Sequence, residues 1–298
     1  MNSGMAAAPA EELEAEAAPA KNVWRAIIET REGKVGLILL AVMALLVAVG
    51  PYLAPYSPTT IGSGPPLTGP SLHNLLGTDD LGRDVLSRVL HGGRQVIAAP
   101  LLIVALALAI GGGLGMWAAY ARGVIDAIVS RFFDAILTLP PLLVVLVLLT
   151  GLGTSTEVLI LSVTFIYIPR IGRVVRAATQ QVAASDYIAA ALARGETTLS
   201  ILLREIAPNI AGPVIAEVAL RITFAILFVA TLDFLGLGTQ PPSSDWGLMV
   251  AESRSLITIV PLPALVPAAG IALLSISVAL IADALTKHIR RETVEPHL

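Results

Sequence analysis

Long apolar runs separated by polar segments recur along the chain. Crossing ~30 Å of hydrocarbon takes about 20 apolar residues in a helix. Six charge-poor runs lie at roughly 35–53, 95–118, 132–151, 158–169 with a more polar continuation to about 175, 213–238 and 263–282. Pro169 and Arg170 interrupt the fourth run, and a buried helix ending there would give the same pattern. The pattern predicts an all-α polytopic membrane protein with six transmembrane helices.

The composition supports this prediction. Of the 298 residues, 55% are hydrophobic and 14% are charged, whereas charged residues make up about 25% of a soluble domain. Most of the chain is therefore expected to lie in lipid. The net charge of -3 and the scattered basic residues argue against a nucleic-acid partner. Because the chain has no Cys, disulfides and thiolate metal sites are excluded.

The polar segments predict the orientation and the division of the chain. Cytoplasmic loops retain Lys and Arg, and with the N-terminus inside, fourteen of the nineteen fall in inner segments. Both termini are therefore predicted to be cytoplasmic. The first 22 residues carry four Glu and one Lys, the wrong charge for a secretory signal peptide. The predicted divisions are a disordered tail at 1–30, a first span at 31–54, an extracytoplasmic segment with an amphipathic helix at 55–94, a core of five spans at 95–285, and a tail at 286–298.

Ionisable residues are rare inside the predicted spans. All four His lie outside them, and Asp134, Glu157 and Asp283 lie within about a turn of a predicted membrane edge. An ion-coupled carrier usually needs ionisable or polar groups at mid-membrane depth. The spans also contain no His, Cys or carboxylate cluster that would predict a metal site. The sequence thus argues against an ion-coupled carrier and predicts no metal site.

The fifth run holds the charged residues that need an explanation. Glu217 and Arg221 are four residues apart, which predicts an ion pair on one helix face near the cytosolic side. Asp233 lies near the predicted outer end. It either reaches the lipid headgroups or, together with Gly236 and Gly238, contributes to a pathway or gate.

The chain is predicted to have no catalytic site. A phosphate-binding GxxxxGK[ST] loop needs Lys before Ser or Thr, but Lys21, Lys34 and Lys287 precede Asn, Val and His. An intramembrane protease would need a motif such as HExxH or a nucleophile that the spans lack. Energy must therefore come from a partner, and the long basic segment between the fourth and fifth runs is the predicted docking surface.

That segment contains what we call the inner loop, residues 185–210. Good helix formers run from Asp186 to Arg194, and Asp186 complements the helix dipole. Its predicted apolar face is Tyr187, Ile188, Ala191 and Leu192. Gly195 can take the left-handed conformation that follows a helix end. A second, amphipathic helix is then predicted, with apolar positions Leu199, Leu202, Leu203 and Ile206. Pro208 is predicted to close it.

The inner loop resembles the EAA loop of binding-protein-dependent ABC importer permeases. In that loop two Ala, a Gly four residues after the second, and a Pro thirteen residues beyond the Gly recur, and the matching residues are Ala190, Ala191, Gly195 and Pro208. Two positions depart from the pattern, since Ala189 stands where Glu is usual and Arg194 where an apolar residue is commoner. The resemblance implies that the loop docks an ATPase through Asp186, Tyr187, Ala189, Ala190, Ala191, Arg194, Gly195, Glu196, Arg204 and Pro208. If the usual Glu anchors this contact, Arg194, Glu196 or Arg204 would have to replace it.

Other segments resemble the C-type permease of dipeptide, oligopeptide and nickel importers. They lie at 76–94, 131–143, 234–247 and 261–285, and the resemblance extends from about 30 to 290. It implies the type I importer permease fold in the inner (plasma) membrane and a heterodimer with a B-type permease. It also implies an extracytoplasmic binding protein and two ATPase subunits, separate or fused, which bind ATP and Mg, with no cofactor in this chain.

The predicted function is a non-catalytic permease subunit that translocates dipeptides or oligopeptides by alternating access. An apolar lining with few fixed charges would suit peptides of varied sequence. Nickel or another small solute is the alternative within this class. An ATP-independent carrier or channel is the alternative from a different class, and it would require uptake without any ATPase.

The outer segments carry structural expectations. Residues 78–90 are predicted to form an amphipathic surface helix, with Asp84 and Arg88 paired at i,i+4. Trp246 is expected at the membrane interface as an aromatic anchor beside a turn. The glycines at 111–113 and Gly115 are expected to let helix backbones approach closely rather than to act as hinges.

Overall fold

The computed structural model describes residues 27–294, with side chains described over 27–287. In that part of the chain the regular structure is helical and no strand occurs. The tail predicted at 1–30 lies outside the described residues except for its last four. The tail predicted at 286–298 lies outside them beyond residue 294.

Five described helices are long and apolar enough to cross a membrane, and a bent pair completes six spans when it is counted as one. The spans are α1 Arg31–Leu53; α2 Val85–Ala107, continued by a π-helical turn Leu108–Gly112 and α3 Gly113–Ala121; the bent pair α4 Gly123–Leu137 and α5 Pro141–Leu152; α6 Thr156–Val182; α10 Ala211–Phe234; and α12 Leu262–Val294. Between α6 and α10 lie α7 Asp186–Ala193, α8 Thr198–Ser200, a π-helical turn Ile201–Ile206 and α9 Ala207–Asn209. Helix α11 Trp246–Ser253 precedes α12. The number of spans agrees with the prediction.

The third span is not the single helix predicted at 132–151. Helices α4 and α5 meet at 85°, and Pro140 and Pro141 lie at the bend. Proline removes a backbone donor and disfavours the helical conformation of the residue before it. Pro141 instead opens α5, a position where its fixed φ is compatible with a helix.

The second span is longer than predicted, and the surface helix predicted at 78–90 is wrong. Residues 77–84 form turns, and Asp84 caps α2 by accepting a hydrogen bond from the Ser87 backbone N–H at 2.8 Å. The apolar positions expected on the surface helix therefore form the first turns of the span. The predicted Asp84–Arg88 pair is also wrong, because the Arg88 guanidinium binds Asp79 and Glu252.

Two buried clusters hold the helices together. The first surrounds α6 and contains Val163 and Ile171, with residues from α2, α5, α10 and the inner loop. The second joins α1, α2, α10, α11 and α12 and contains Met43 and Leu274. Since α6 and α10 both reach the inner loop, the first cluster connects that loop directly to the membrane core.

Trp246 belongs to the second cluster and is not the interfacial anchor that was expected. Its side chain is 1% exposed, and its Nε1 donates a hydrogen bond to the Val89 carbonyl at 2.8 Å. A Cβ added at Gly93 or Gly270 would lie 3.0 Å or 2.7 Å from the indole ring. The ring therefore fills the space between α2 and α12, where these glycines make room for it.

Of the glycines predicted to let helix backbones approach closely, Gly111 and Gly115 do so, whereas a Cβ at Gly113 would meet nothing within 4 Å. An added Cβ at Gly111 would lie 2.2 Å from the Ile168 carbonyl oxygen, and one at Gly115 would lie 2.3 Å from that of Gly172. These contacts are with backbone atoms of α6, which cannot rotate away. Glycine is required because α2, α3 and α6 approach each other backbone to backbone.

Replacing Gly111 with Leu is expected to destabilise the fold by about 1–3 kcal/mol, the usual cost of overpacking. Thermal unfolding of the purified protein in detergent measures this change. Gly113→Leu is the matched control, because a Cβ at Gly113 meets nothing within 4 Å. Equal stability of the two variants would contradict the close contact between the π-helical turn Leu108–Gly112 and α6.

Candidate coupling loop and translocation cavity

The first half of the inner loop has the predicted helix and turn. Helix α7 begins after Ser185 and ends at Ala193. Gly195 follows with φ +80°. Its N–H donates to the Leu192 carbonyl at 2.9 Å, and the Glu196 N–H donates to the Ala191 carbonyl at 3.2 Å. These two bonds form a Schellman motif, which satisfies the last carbonyls of a helix and usually needs glycine at this position.

The second half departs from the prediction. The Thr197 hydroxyl caps a short helix by accepting from the Ser200 N–H, and Ile201–Ile206 then form π-helical turns. Ile201, Leu202 and Ile206 are consequently buried, while Leu199 and Leu203, which were predicted on the apolar face, are 65% and 60% exposed. A π turn holds more residues than an α turn and shifts the buried face. The predicted apolar face is therefore half wrong.

Pro208 does not close the second helix. It lies inside α9, at the start of that short segment. The chain continues through Ile210 directly into α10. The break in helical geometry therefore falls at residue 210, and the inner loop joins the fifth span with almost no linker.

The inner loop has a buried side that fixes it to the membrane core. Ile188 and Ala191 of α7, together with Ile201 and Ile206, belong to the same buried cluster as Val175 of α6. The face of α7 predicted as Tyr187, Ile188, Ala191 and Leu192 is only partly correct, because Leu192 is 54% exposed and Tyr187 is half-buried. Because it is packed on α6, the loop cannot move without displacing that helix.

The opposite side of the inner loop is exposed, and we call it the crown. It consists of Asp186, Ala189, Ala190, Leu192, Arg194, Gly195, Leu199, Leu203, Arg204 and Pro208. Ala189, where Glu was expected, is part of this exposed surface. An ion pair supports the turn, because the Arg194 Nη2 lies 2.6 Å from the Glu196 Oε1, and this hydrogen bond lowers the pKa of the Glu196 carboxyl. The exposed leucines Leu192, Leu199 and Leu203 were not predicted as surface.

Two polar contacts join α6 and the residue that follows it to the start of the bent span. The Arg122 guanidinium donates to the Ala183 carbonyl at 3.2 Å. The Arg176 guanidinium binds both oxygens of Asp126, at 2.5 and 2.7 Å. A bidentate pair of this kind fixes orientation as well as distance. Helices α4 and α6 are therefore joined near the inner loop.

A cavity of about 390 Å³ lies between α6, α10 and the start of α5. Its lining includes two arginines that the sequence did not assign to a pathway, and we call it the arginine cavity. Its lining residues are Pro141, Ile166, Tyr167, Arg170, Arg221, Phe224, Leu227, Phe228 and Thr231. The expectation of an apolar lining with few fixed charges is wrong for this cavity.

Arg170 does not mark the end of a helix, as one interpretation of the sequence had it. Helix α6 continues through Pro169 and Arg170 to Val182. Glu217 and Arg221 form the predicted ion pair, with the Arg221 Nε 2.5 Å from the Glu217 Oε1. Polar residues inside membrane spans usually face the bundle interior or a cavity. Arg170 and Arg221 follow that rule.

Asp233 lies in a buried turn and does not reach toward the headgroups. It is 1% exposed, and its Oδ1 accepts the Thr239 N–H at 2.6 Å. A Cβ at Gly238 would lie 1.9 Å from this oxygen, and Gly236 adopts φ +76°, so both glycines serve the turn. Burial, and then the charge of Asp233, raise the pKa of the nearby Asp245 to about 8. Asp233 is absent from the lining of the arginine cavity, and a gate at these residues stays a prediction.

This arrangement defines a class of protein: a polytopic membrane subunit with a cavity between two spans and an exposed loop that joins the same two spans. The chain belongs to the family of binding-protein-dependent transport system inner membrane components, whose model matches residues 111–292. A model of the N-terminal TM domain of oligopeptide transport permease C matches residues 18–70. The chain is thus an integral inner-membrane permease component with the type I importer permease fold, and it is not an enzyme.

Several curated proteins are similar along nearly their whole length. The dipeptide transport system permease protein DppC of Haemophilus influenzae is 33% identical, over 94% of this chain and 95% of its own. The protein of the same name from Alkalihalophilus pseudofirmus is 31% identical over 97% and 94%. The di/tripeptide transport system permease protein DppC of Pseudomonas aeruginosa is 33% identical over 80% and 81%. The family implies a partner permease, an ATPase and a binding protein.

Proposed function

We propose that this chain is the C-type permease subunit of an ATP-driven importer that moves dipeptides and oligopeptides inward by alternating access. The similar proteins described above are peptide permeases by name. The observation that carries the mechanism is that the inner loop and the arginine cavity share the same two helices.

The path from loop to cavity is short and continuous. Helix α6 carries Tyr167 and Arg170 on the cavity wall and runs on to the inner loop. The loop leads through Ile210 into α10, which carries Arg221 and Thr231 on the opposite wall. Because the loop is packed on α6, displacing it moves both walls. A packed element with two discrete arrangements is the physical requirement for coupling distant sites.

The crown is the proposed contact with the ATPase. Its leucines offer apolar area at the centre of a surface that also carries Asp186, Arg194 and Arg204. Buried apolar anchors surrounded by polar groups are typical of specific interfaces. With Ala at position 189, the contact is made by these leucines and by Arg204, while Arg194 and Glu196 hold the turn in shape.

The remaining partners follow from this assignment. A B-type permease completes the pathway, an extracytoplasmic binding protein delivers the peptide, and two ATPase subunits, separate or fused, bind ATP and Mg. ATP binding closes the ATPases, displaces the inner loop and opens the cavity outward, and hydrolysis returns it to the inward state. No cofactor is assigned to this chain.

Uptake by the assembled complex in proteoliposomes tests the proposal. With the partner permease, ATPases and binding protein present, labelled dipeptide should accumulate only when ATP is supplied on the cytosolic side. Accumulation by this subunit alone would identify an ATP-independent carrier instead. ATP-driven uptake of nickel or another solute, without uptake of any peptide, would support the proposed mechanism but contradict the proposed substrate.

A further inference from the structure

The two arginines of the arginine cavity lie far from the ends of their helices. Arg170 is the fifteenth of the 27 residues of α6, and Arg221 is the eleventh of the 24 residues of α10. Placing a guanidinium inside a span is costly, so such a residue is a functional candidate by default. Both side chains face the same cavity of about 390 Å³.

Arg170 has no acidic partner among the described residues. Its Nη1 donates to the Ile166 carbonyl at 2.7 Å, and its guanidinium carbon lies 5.8 Å from the centre of the Tyr167 ring. Neither contact neutralises the charge. The aromatic face attracts the cation and holds it beside the cavity, while its remaining N–H groups stay available to an anion.

Arg221 is held differently. Glu217 binds its Nε at 2.5 Å, and the guanidinium carbon lies 5.8 Å from the centre of the Phe224 ring. Since Glu217 balances only one of the two cations, the pair of arginines with Glu217 leaves one net positive charge at the cavity. An anionic group of the substrate would compensate it.

We propose that the arginine cavity binds the C-terminal carboxylate of the peptide in transit. Arg170 contacts the carboxylate directly and supplies the uncompensated positive charge, while Arg221, whose charge is balanced by Glu217, supplies further N–H donors. This inference rests on the proposed peptide-import function. A guanidinium presents two parallel N–H donors that match a carboxylate. Every linear peptide with a free terminus carries this group, so the site recognises peptides without reading their side chains.

The volume of the cavity suits this role. Sites for small molecules usually measure ~300–1,000 Å³, so a cavity of about 390 Å³ has room for a peptide terminus. The walls of the cavity include the aromatic side chains of Tyr167, Phe224 and Phe228. These apolar walls can contact a peptide whatever its amino-acid sequence. The result is one fixed charge contact combined with nonspecific apolar contacts.

The test compares two substrates in the assembled, reconstituted complex. ATP-driven uptake of a dialanine with a free C-terminus is measured against uptake of the same dipeptide as its C-terminal amide, at saturating binding protein. Arg170→Gln removes the charge. The effect of the variant is expressed as a ratio to wild type for each substrate, so that any preference of the binding protein cancels.

We expect Arg170→Gln to lower uptake of the free acid by about tenfold or more, because a charge-assisted bond is lost, and to change uptake of the amide less than threefold. Arg173→Gln is the matched control, since Arg173 is three residues away on α6 with its side chain 59% exposed, and it should leave both ratios near one. If the Arg170→Gln subunit does not assemble, Arg170→Lys is tested in its place. We expect Arg170→Lys to lower uptake of the free acid at least threefold and to leave uptake of the amide unchanged.

An equal loss for acid and amide, or no loss for either, would overturn the inference while leaving the peptide function intact. Uptake of neither substrate by the wild-type complex would instead reject the peptide function itself. The two failures are therefore distinguishable.

Discussion

Gly195→Glu is expected to lower ATP-driven uptake at least tenfold while the subunit still inserts and assembles with its partner permease. Gly195 has φ +80°, and an added Cβ would meet nothing within 4 Å. The substitution therefore causes no clash in the core. It imposes about 1–2 kcal/mol of backbone strain on the Schellman turn and adds a second negative charge beside Glu196, at the centre of the crown. The turn that shapes the proposed ATPase contact is thereby distorted.

Proteoliposome uptake and co-purification of the ATPases measure this effect. Gly195→Ala separates strain from charge and should give an intermediate loss. Gly62→Glu is the matched control, because Gly62 also has positive φ, at +75°, with open space around it, but lies in the segment between α1 and α2, at the other end of the spans. Normal uptake by the Gly195→Glu protein would refute the role of the inner loop in coupling.

The number and order of the spans could be predicted because hydrophobic length is a local property of the sequence. The periodicity of the sequence did not show where a helix bends or where π-helical turns shift its buried face. The bend coincides with Pro140 and Pro141, whereas the π turns at Ile201–Ile206 leave no mark in the periodicity of the sequence. As a result, Leu199 and Leu203 were predicted on the apolar face of an amphipathic helix, but their side chains are exposed. Their exposure enlarges the apolar surface available to a partner.

The arginine cavity was missed for a related reason. Arg170 follows a proline and interrupts an apolar run, so in one dimension it marks a boundary. Arg221 has a partner at i-4 and is explained locally by that ion pair. Only the packing of α6 against α10 brings the two side chains to one cavity. The sequence did carry one signal. An arginine inside a span, with no acidic residue nearby in the sequence to pair with it, is a candidate functional residue.

A buried charge network lies between α11 and the turns that precede α2. The Asp79 Oδ2 accepts from the Arg83 Nε at 2.6 Å and from the Arg88 Nη1 at 2.7 Å. Glu252 of α11 lies 2.9 Å from Arg88 and 3.2 Å from Arg83. The side chains of Asp79, Arg83 and Arg88 are 4%, 5% and 1% exposed. The network joins the turns before α2 to α11. The sequence had predicted a helix for this part of the outer segment.

Asp79→Asn is expected to destabilise the protein by about 3–5 kcal/mol, the usual cost of removing one partner of a buried ion pair. The substitution is nearly isosteric and keeps an oxygen for the backbone N–H groups of Leu81 and Arg83, which Asp79 Oδ1 accepts at 3.0 and 2.9 Å. The loss of stability therefore reports the charge, because the two buried guanidinium groups would then keep only Glu252 and, for Arg83, the more distant and exposed Asp80. Thermal or denaturant unfolding of the purified complex measures it.

Asp80→Asn provides the matched control at the adjacent position. Asp80 is 47% exposed and lies 3.7 Å from the Arg83 guanidinium, so its pair is weakened by solvent and is worth less than about 1 kcal/mol. If the two variants were equally stable, Asp79 would not be holding the arginines together. A large gap between them would show that the turns before α2 are fixed to α11 by buried charge, so that the outer end of the second span and α11 move as one unit.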